Sequence, residues 1–162
     1  MATTTDKIAY SSSLSLTITC NSLASSTTVG RQATVVDNSS TLYDDVLVTG
    51  AFTTTTGTIA SSKTITVYVS GSEDGTNYDQ DDGVMGASDA GYTVNSPTNL
   101  KIGAVLYCPT AVKVYNSVFS IASLFGGVMP KKWTVVVCND TNLQLPTSGN
   151  TMTYTGITYT NS

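Results

Sequence analysis

Histidine is absent from this 162-residue chain, and charged residues of either sign make up only 11% of it. Without histidine the chain cannot form a Ser-His-Asp triad, a Cys-His pair or a histidine-ligated zinc site, and it lacks the usual general base near neutral pH. Conventional nucleophilic or metal-assisted hydrolysis is therefore disfavoured. We expect a protein that is not an enzyme, with no catalytic residues, no cofactor and no metal.

Basic residues and long apolar segments are also scarce. Seven scattered Lys and Arg residues stand against eleven Asp and Glu, for a net charge of −4 and a pI of about 4.4. Nucleic-acid binding needs clustered basic side chains, so we expect no nucleic-acid partner. The apolar runs are far shorter than the roughly 20 residues of a membrane-spanning helix. The first residues, Met1 to Asp6, have neither the basic nor the apolar part of a secretion signal. We therefore expect no membrane association.

Cysteine is rare, and its spacing does not indicate a disulfide framework. Cys20, Cys108 and Cys138 are an odd number of widely separated residues, each in or beside an apolar stretch. We interpret them as small core residues of a protein made in a reducing compartment.

The chain is rich in small hydroxyl side chains and in residues that favour strands. Its 29 Thr and 20 Ser make up close to a third of the sequence, and Thr, Val, Ile and Tyr pack well on a pleated surface. Period-two alternation predicts strands with one wet face at 13–20, 64–70 and 100–106. The predicted inner positions are Leu14, Leu16, Ile18 and Cys20, then Ile65, Val67 and Val69, then Leu100, Ile102, Ala104 and Leu106.

Further strands are predicted at 29–36, 42–52, 92–94, 112–121 and 151–160, with Val46, Val48 and Phe52 facing inward. Residues 133–138 are almost continuously apolar, which predicts a central strand covered on both faces. Residues 120–125 are long enough for no more than a helical turn. This pattern predicts an all-β fold, a jelly-roll-like antiparallel β-sandwich of about eight strands. We assign residues 1–12 to an N-terminal arm, loose alone or ordered by a partner, and 13–162 to a single β-sandwich domain.

An acidic connection at 72–91 holds six of the eleven acids: Glu73, Asp74, Asp79, Asp81, Asp82 and Asp89. Calcium binds six to eight oxygens, so a calcium site at 73–83 is one interpretation. The EF-hand pattern fails there, because Asp82 occupies the required glycine position and no Glu follows at the twelfth. Neighbouring carboxylates could also act on a glycoside, but a flexible loop does not preorganise a pair. The alternative is a solvated loop in which Asp74-Gly75 forms a tight turn.

Aromatic residues raise the question of sugar binding, because saccharides stack on Trp and Tyr rings. The single tryptophan, Trp133, begins the most apolar strand, which favours a core or sheet-end position. Surface or interface positions are plausible for Tyr78, Tyr92, Tyr107 and Tyr159. Residues 126–133 are typical of a turn, and Lys131-Lys132 could pair with acids on a partner.

Low charge also bears on assembly. Hydroxyl-rich strands with few charges have weak protection against edge-to-edge pairing, so their edges tend to need a covering partner or copies of the same chain. This favours a component of an assembly.

Several segments resemble virion proteins of tailed bacteriophages. Residues 67–78 contain Ser72-Glu-Asp-Gly-Thr-Asn-Tyr78, which resembles an SxDGxxY turn common in their β-sandwich proteins. Residues 119–140 with 154–157 are similar to the C-terminal half of small phage structural proteins, and 24–38 is similar as well. The likeness covers most of the chain and is weakest at 72–91, and its motifs are strand-and-turn patterns.

The resemblance implies a capsid decoration (cement) protein. Such a protein lies on the capsid exterior, binds between major capsid subunits as a dimer or trimer, and is made in the host cytoplasm. The resemblance transfers no catalytic residue. The alternative is a tail- or surface-associated β-sandwich that binds carbohydrate or another receptor, because one fold serves many functions.

Overall fold

Two antiparallel β-sheets contain almost all of the regular structure of the computed structural model, which describes residues 6–60, 62–81 and 85–161. The strands and the single helical turn are β1 (Asp6–Tyr10), β2 (Leu14–Ser15), β3 (Val29–Gln32), β4 (Val36–Asp37), β5 (Asp45–Phe52), β6 (Thr64–Ser72), β7 (Ala90–Thr93), β8 (Lys101–Tyr107), β9 (Tyr115–Ser120), α1 (Ile121–Leu124), β10 (Lys132–Asp140) and β11 (Thr151–Asn161). No helix in these residues is long and apolar enough to span a membrane.

Strand order identifies the sandwich as a jelly roll. Sheet A has the order β1-β11-β5-β9, with β2 also on β11, and sheet B has the order β7-β3-β10-β6-β8, with β4 also on β10. The pairs β1·β11, β3·β10, β5·β9 and β6·β8 are all antiparallel. The first half of the chain thus pairs with the second half in reverse order, as in a long hairpin rolled across two sheets. The predicted all-β sandwich is confirmed.

The main core lies between the sheets and is built by period-two alternation. The predicted inner residues of β5 and β6 are all fully buried: Val46, Val48, Phe52, Ile65, Val67 and Val69. Trp133 is also fully buried, and its ring meets Tyr154 edge-on at 5.5 Å between centroids. The core position expected for Trp133 is therefore correct.

β10 is the central strand of sheet B and is buried on both faces, as its apolar run predicts. Between β3 and β6, every residue from Trp133 to Cys138 is buried. The inner face belongs to the main core. The outer face belongs to a second apolar cluster, in which the connection between β6 and β8 lies over the sheet: Met85, Tyr92, Val94, Leu100, Val136 and Cys138. Within the acidic connection at 72–91, Met85 is buried in this cluster, whereas Glu73, Asp74 and Asn77 are exposed.

The N-terminal segment differs from the expected arm over residues 6–10. These residues form β1, which pairs with β11 from Asp6↔Asn161 to Tyr10↔Ile157 and makes one edge of sheet A. Met1 to Thr5 lie outside the described residues.

Several predicted strands differ in detail from those of the structure. Only Leu14–Ser15 of 13–20 is a strand; Leu16 and Cys20 are buried as expected, but Leu14 is 39% exposed, so the inner position predicted for it is wrong. In β8, the register shifts so that Val67 faces Ala104 while Tyr68 faces Ile102. This bulge turns Ile102 outward, where it is 54% exposed, so the inner position predicted for it is wrong.

The cysteines are confirmed as core residues. All are buried and free: Cys20, Cys108 and Cys138. Burial raises the pKa of Cys20 and Cys138 to about 12 and that of Cys108 to about 11, because the thiolate loses its hydration.

Candidate interaction surfaces

The Asp74-Gly75 turn predicted in the acidic connection is present and is held by the carboxylate of Asp74. Oδ1 accepts hydrogen bonds from the backbone N–H of Asn77 (2.7 Å) and Thr76 (2.8 Å) and from the Ser72 hydroxyl (3.0 Å). These hydrogen bonds hold the pKa of Asp74 far below its usual range. Gly75 has φ +80°, a conformation that favours glycine. The carboxylate of Asp74 therefore organises its own loop.

A second carboxylate, Asp81, joins the loop to the segment before β8. It accepts hydrogen bonds from Asn99 N–H (2.8 Å), Asn95 N–H (3.0 Å) and the Thr98 hydroxyl (2.9 Å). Burial opposes ionisation of Asp81, but these hydrogen bonds outweigh it and lower the pKa. The N–H of Asp81 also donates to the Tyr92 hydroxyl at 2.9 Å.

The far end of the connection is tied to β3. Asp89 forms an ion pair with Arg31 and accepts a hydrogen bond from the Thr19 hydroxyl. The Gln32 side chain is buried and bonds to both the carbonyl and the N–H of Gly86. This ion pair and these hydrogen bonds, in which the connection both donates and accepts, thus position it over sheet B.

The hypothesis of a calcium site at 73–83 gains no support from this geometry. Asp74 and Asp81 accept hydrogen bonds from different segments, and Asp82 and Gly83 lie outside the described residues. Within residues 6–60, 62–81 and 85–161, no group of three acidic or thiol side chains lies close enough together to hold a metal ion.

A surface cleft of about 440 Å³ lies beside the Asp74 turn. Its apolar walls are Tyr78 and Phe125, and its polar lining includes Glu73, Asn77 and Asp79. The cleft floor is Gly71, where a Cβ atom would lie 2.6 Å from the Phe125 ring. A side chain at residue 71 would thus displace this wall.

Exposed apolar side chains also lie on β8, the edge strand of sheet B, on β9, the edge strand of sheet A, and on the loop between them; we call this region the β8–β9 edge. β8 pairs only with β6 and β9 only with β5, so each has one strand edge without a ladder partner in the described chain. Phe119 of β9 packs on Gly103 of β8 and joins the two strands. Exposed apolar side chains on both strands and the loop between them are Ile102 (54%), Val105 (56%), Tyr107 (62%), Val112 (61%), Val114 (63%) and Val118 (64%).

The sequence around this edge carries no negative charge. No Asp or Glu occurs between Asp89 and Asp140, whereas Lys101 and Lys113 both lie in this interval. Exposed apolar surface with free strand edges is typical of an interaction site.

The other predicted surface residues have mixed outcomes. Tyr107 and Tyr159 are exposed, Tyr78 is half-buried in the cleft wall, and Tyr92 is 4% exposed in the second cluster, so a surface position for Tyr92 is wrong. Lys132 pairs within the chain, 3.6 Å from Asp37, while Lys131 is exposed.

Comparison with known proteins adds nothing to this geometry: no family model, no curated protein and no solved structure matches the chain. The residues that sequence reasoning missed are Gly71 and Phe125 of the cleft and the bulge at Gly103. An isolated glycine inside a strand pattern is the available signal, because it often marks a bulge or a close approach.

Proposed function

We propose that this protein is a structural component of a bacteriophage virion, a capsid decoration protein that binds between major capsid subunits and stabilises the shell. The β8–β9 edge carries the proposal, because it combines free strand edges with exposed apolar side chains in a stretch of sequence without Asp or Glu. The sequence resemblance to phage virion proteins supports the same function. The proposed role is binding alone, on the capsid exterior.

A shell with many equivalent junctions suits such a surface. Each contact can be modest when copies bind as dimers or trimers, because linked contacts reinforce one another. A strand edge provides backbone hydrogen bonds to a partner, and apolar side chains such as Val105 and Val118 provide buried area. Few charges have to be desolvated at this edge.

Capsids lacking the protein provide the test. Purified protein should co-sediment with these capsids and raise the temperature at which they release DNA. The double substitution Val105→Asp and Val118→Asp places charges on both exposed strands and should weaken binding at least tenfold. Leu42→Asp is the matched control, because Leu42 is 70% exposed in the loop before β5, and it should bind normally.

Absence of binding by the unsubstituted protein, or equal heat resistance with and without it, would overturn the proposal. Equal loss of binding in the Leu42→Asp control would overturn the assignment of the β8–β9 edge. The alternative is a tail- or surface-associated sandwich that binds carbohydrate or another receptor. It predicts that the protein is located on the particle at sites outside the capsid lattice.

A further inference from the structure

The cleft beside the Asp74 turn has preformed walls. The loop from Gly71 to Asp79 is closed by a backbone hydrogen bond of 3.1 Å from the Asp79 N–H to the Gly71 carbonyl. Tyr78 also packs against the second apolar cluster on the outer face of sheet B. Phe125 follows α1, with its N–H bonded to the Ala122 carbonyl at 3.0 Å. A volume of about 440 Å³ is within the range of small-molecule sites.

The polar groups of the cleft are mainly acceptors. Glu73 is exposed, and its carboxylate forms no hydrogen bond or ion pair with the described residues. The Asn77 amide nitrogen donates to Asp74, which leaves the amide oxygen as an acceptor. Acceptors of this kind suit a ligand that presents several hydroxyl donors.

Two lysines offset part of the negative charge of the cleft. The Lys101 ammonium lies 3.6 Å from Asp79 and 6.0 Å from the centre of the Phe125 ring. Lys132 extends along Gly75, where its Cε would lie 3.2 Å from an added Cβ. Two lysines thus lie near the carboxylates of Glu73, Asp74 and Asp79, and because Lys132 also pairs with Asp37 they offset only part of the negative charge. An anionic ligand would face these carboxylates.

We propose that the cleft binds a neutral saccharide, with Tyr78 as the stacking ring and Glu73 and Asp79 as acceptors for sugar hydroxyl groups. Aromatic rings next to carboxylate and amide oxygens match the two surfaces of a sugar, one apolar and one rich in hydroxyls. This inference does not rest on the capsid proposal, because the cleft lining includes none of the exposed apolar residues of the β8–β9 edge, although Lys101 of β8 adjoins the cleft.

The test uses ¹⁵N-labelled full-length protein titrated at millimolar concentration with glucose, galactose, mannose and N-acetylglucosamine, together with a glycan array. At least one neutral sugar should shift the amide signals of Gly71, Asn77 and Asp79. Tyr78→Ala should weaken that binding about tenfold or more, and Glu73→Gln should weaken it less. Tyr107→Ala is the matched control, since Tyr107 is an exposed tyrosine on β8, and it should bind normally.

Folding of each variant is checked by its thermal unfolding, and Tyr78→Phe provides a variant that keeps the ring. Tyr78→Phe should retain most of the binding. No shift with any sugar and no array signal would overturn the inference, and so would shifts that map outside the cleft. Binding of N-acetylarginine amide in the cleft, without sugar binding, would show that the site takes cations instead.

Discussion

The second apolar cluster predicts that the outer face of β10 behaves as a protein interior. Val136 is fully buried there, and its backbone lies in ladders with Gln32 of β3 and Tyr68 of β6. Val136→Thr keeps the shape of the side chain and adds a hydroxyl. On an exposed strand face this change should be nearly neutral, because Thr suits strands. Under the connection between β6 and β8, the hydroxyl has to be buried.

The expected cost follows from the polarity of the new group. Burying a hydroxyl without a hydrogen bond costs about 1–3 kcal/mol in proteins. For a domain of this size, each kcal/mol lowers the Tm by about 2–4 °C. Val136→Thr should therefore destabilise by about 1–3 kcal/mol, and Val137→Thr on the inner face should cost a similar amount.

Urea unfolding followed by the fluorescence of Trp133 measures this change, because Trp133 is the only tryptophan and is fully buried. Val105→Thr is the matched control, since Val105 is 56% exposed on the outer face of the same sheet, and it should change stability by less than about 0.5 kcal/mol. Equal urea midpoints for Val136→Thr, Val105→Thr and the unsubstituted protein would refute the claim that the outer face of β10 is covered.

Further predictions concern the close packing at Gly103, the loss of stability at low pH, and the reactivity of the thiols. Gly103→Ala places a Cβ 2.7 Å from the Phe119 ring and should lower the free energy of unfolding in urea by about 1–3 kcal/mol. Gly91→Ala is the control, because the space around Gly91 is open, and it should be near neutral. Equal effects of the two substitutions would contradict the close packing of Phe119 on Gly103. Because the pKa of Asp81 is lower in the folded protein than in the unfolded chain, ionised Asp81 stabilises the folded state. This stabilisation is complete above the unfolded pKa of about 3.9 and is lost as the pH falls through the lower folded pKa. The urea midpoint should therefore be steady near neutral pH and drop in acid, less so for Asp81→Asn, and an equal drop in both proteins would contradict this role. Buried thiols should react with a disulfide reagent at pH 8 only after unfolding, and rapid labelling of the native protein would contradict the burial of Cys20, Cys108 and Cys138.

Much of the sandwich is predictable because alternation in the sequence directly reflects which face of a strand is buried. The inner residues of β5 and β6 follow a period of two, and the apolar run of β10 predicts a strand covered on both sides. Which residues cover the outer face of β10 was not predictable from the pattern of apolar residues in the sequence. Its apolar contributors, such as Met85 and Leu100, are widely spaced in a polar segment without a period.

The features that sequence analysis missed at individual residues also depend on contacts between distant parts of the chain or on local register. The turn at Asp74-Gly75 depends on neighbouring residues and was predicted from them, whereas the cleft needs Phe125 to meet Gly71 from 54 residues further along the chain. The bulge at Gly103 reverses the facing of Ile102 without any change in composition. The pairing of β1 depends on β11, at the other end of the chain.

Cryo-electron microscopy of virions that carry this protein tests the central claim most directly. The capsid decoration proposal predicts density of the size of this chain on the capsid lattice, at junctions between major capsid subunits, with the β8–β9 edge towards a subunit or a second copy. Density confined to the tail or to a single vertex, with none on the lattice, would contradict it.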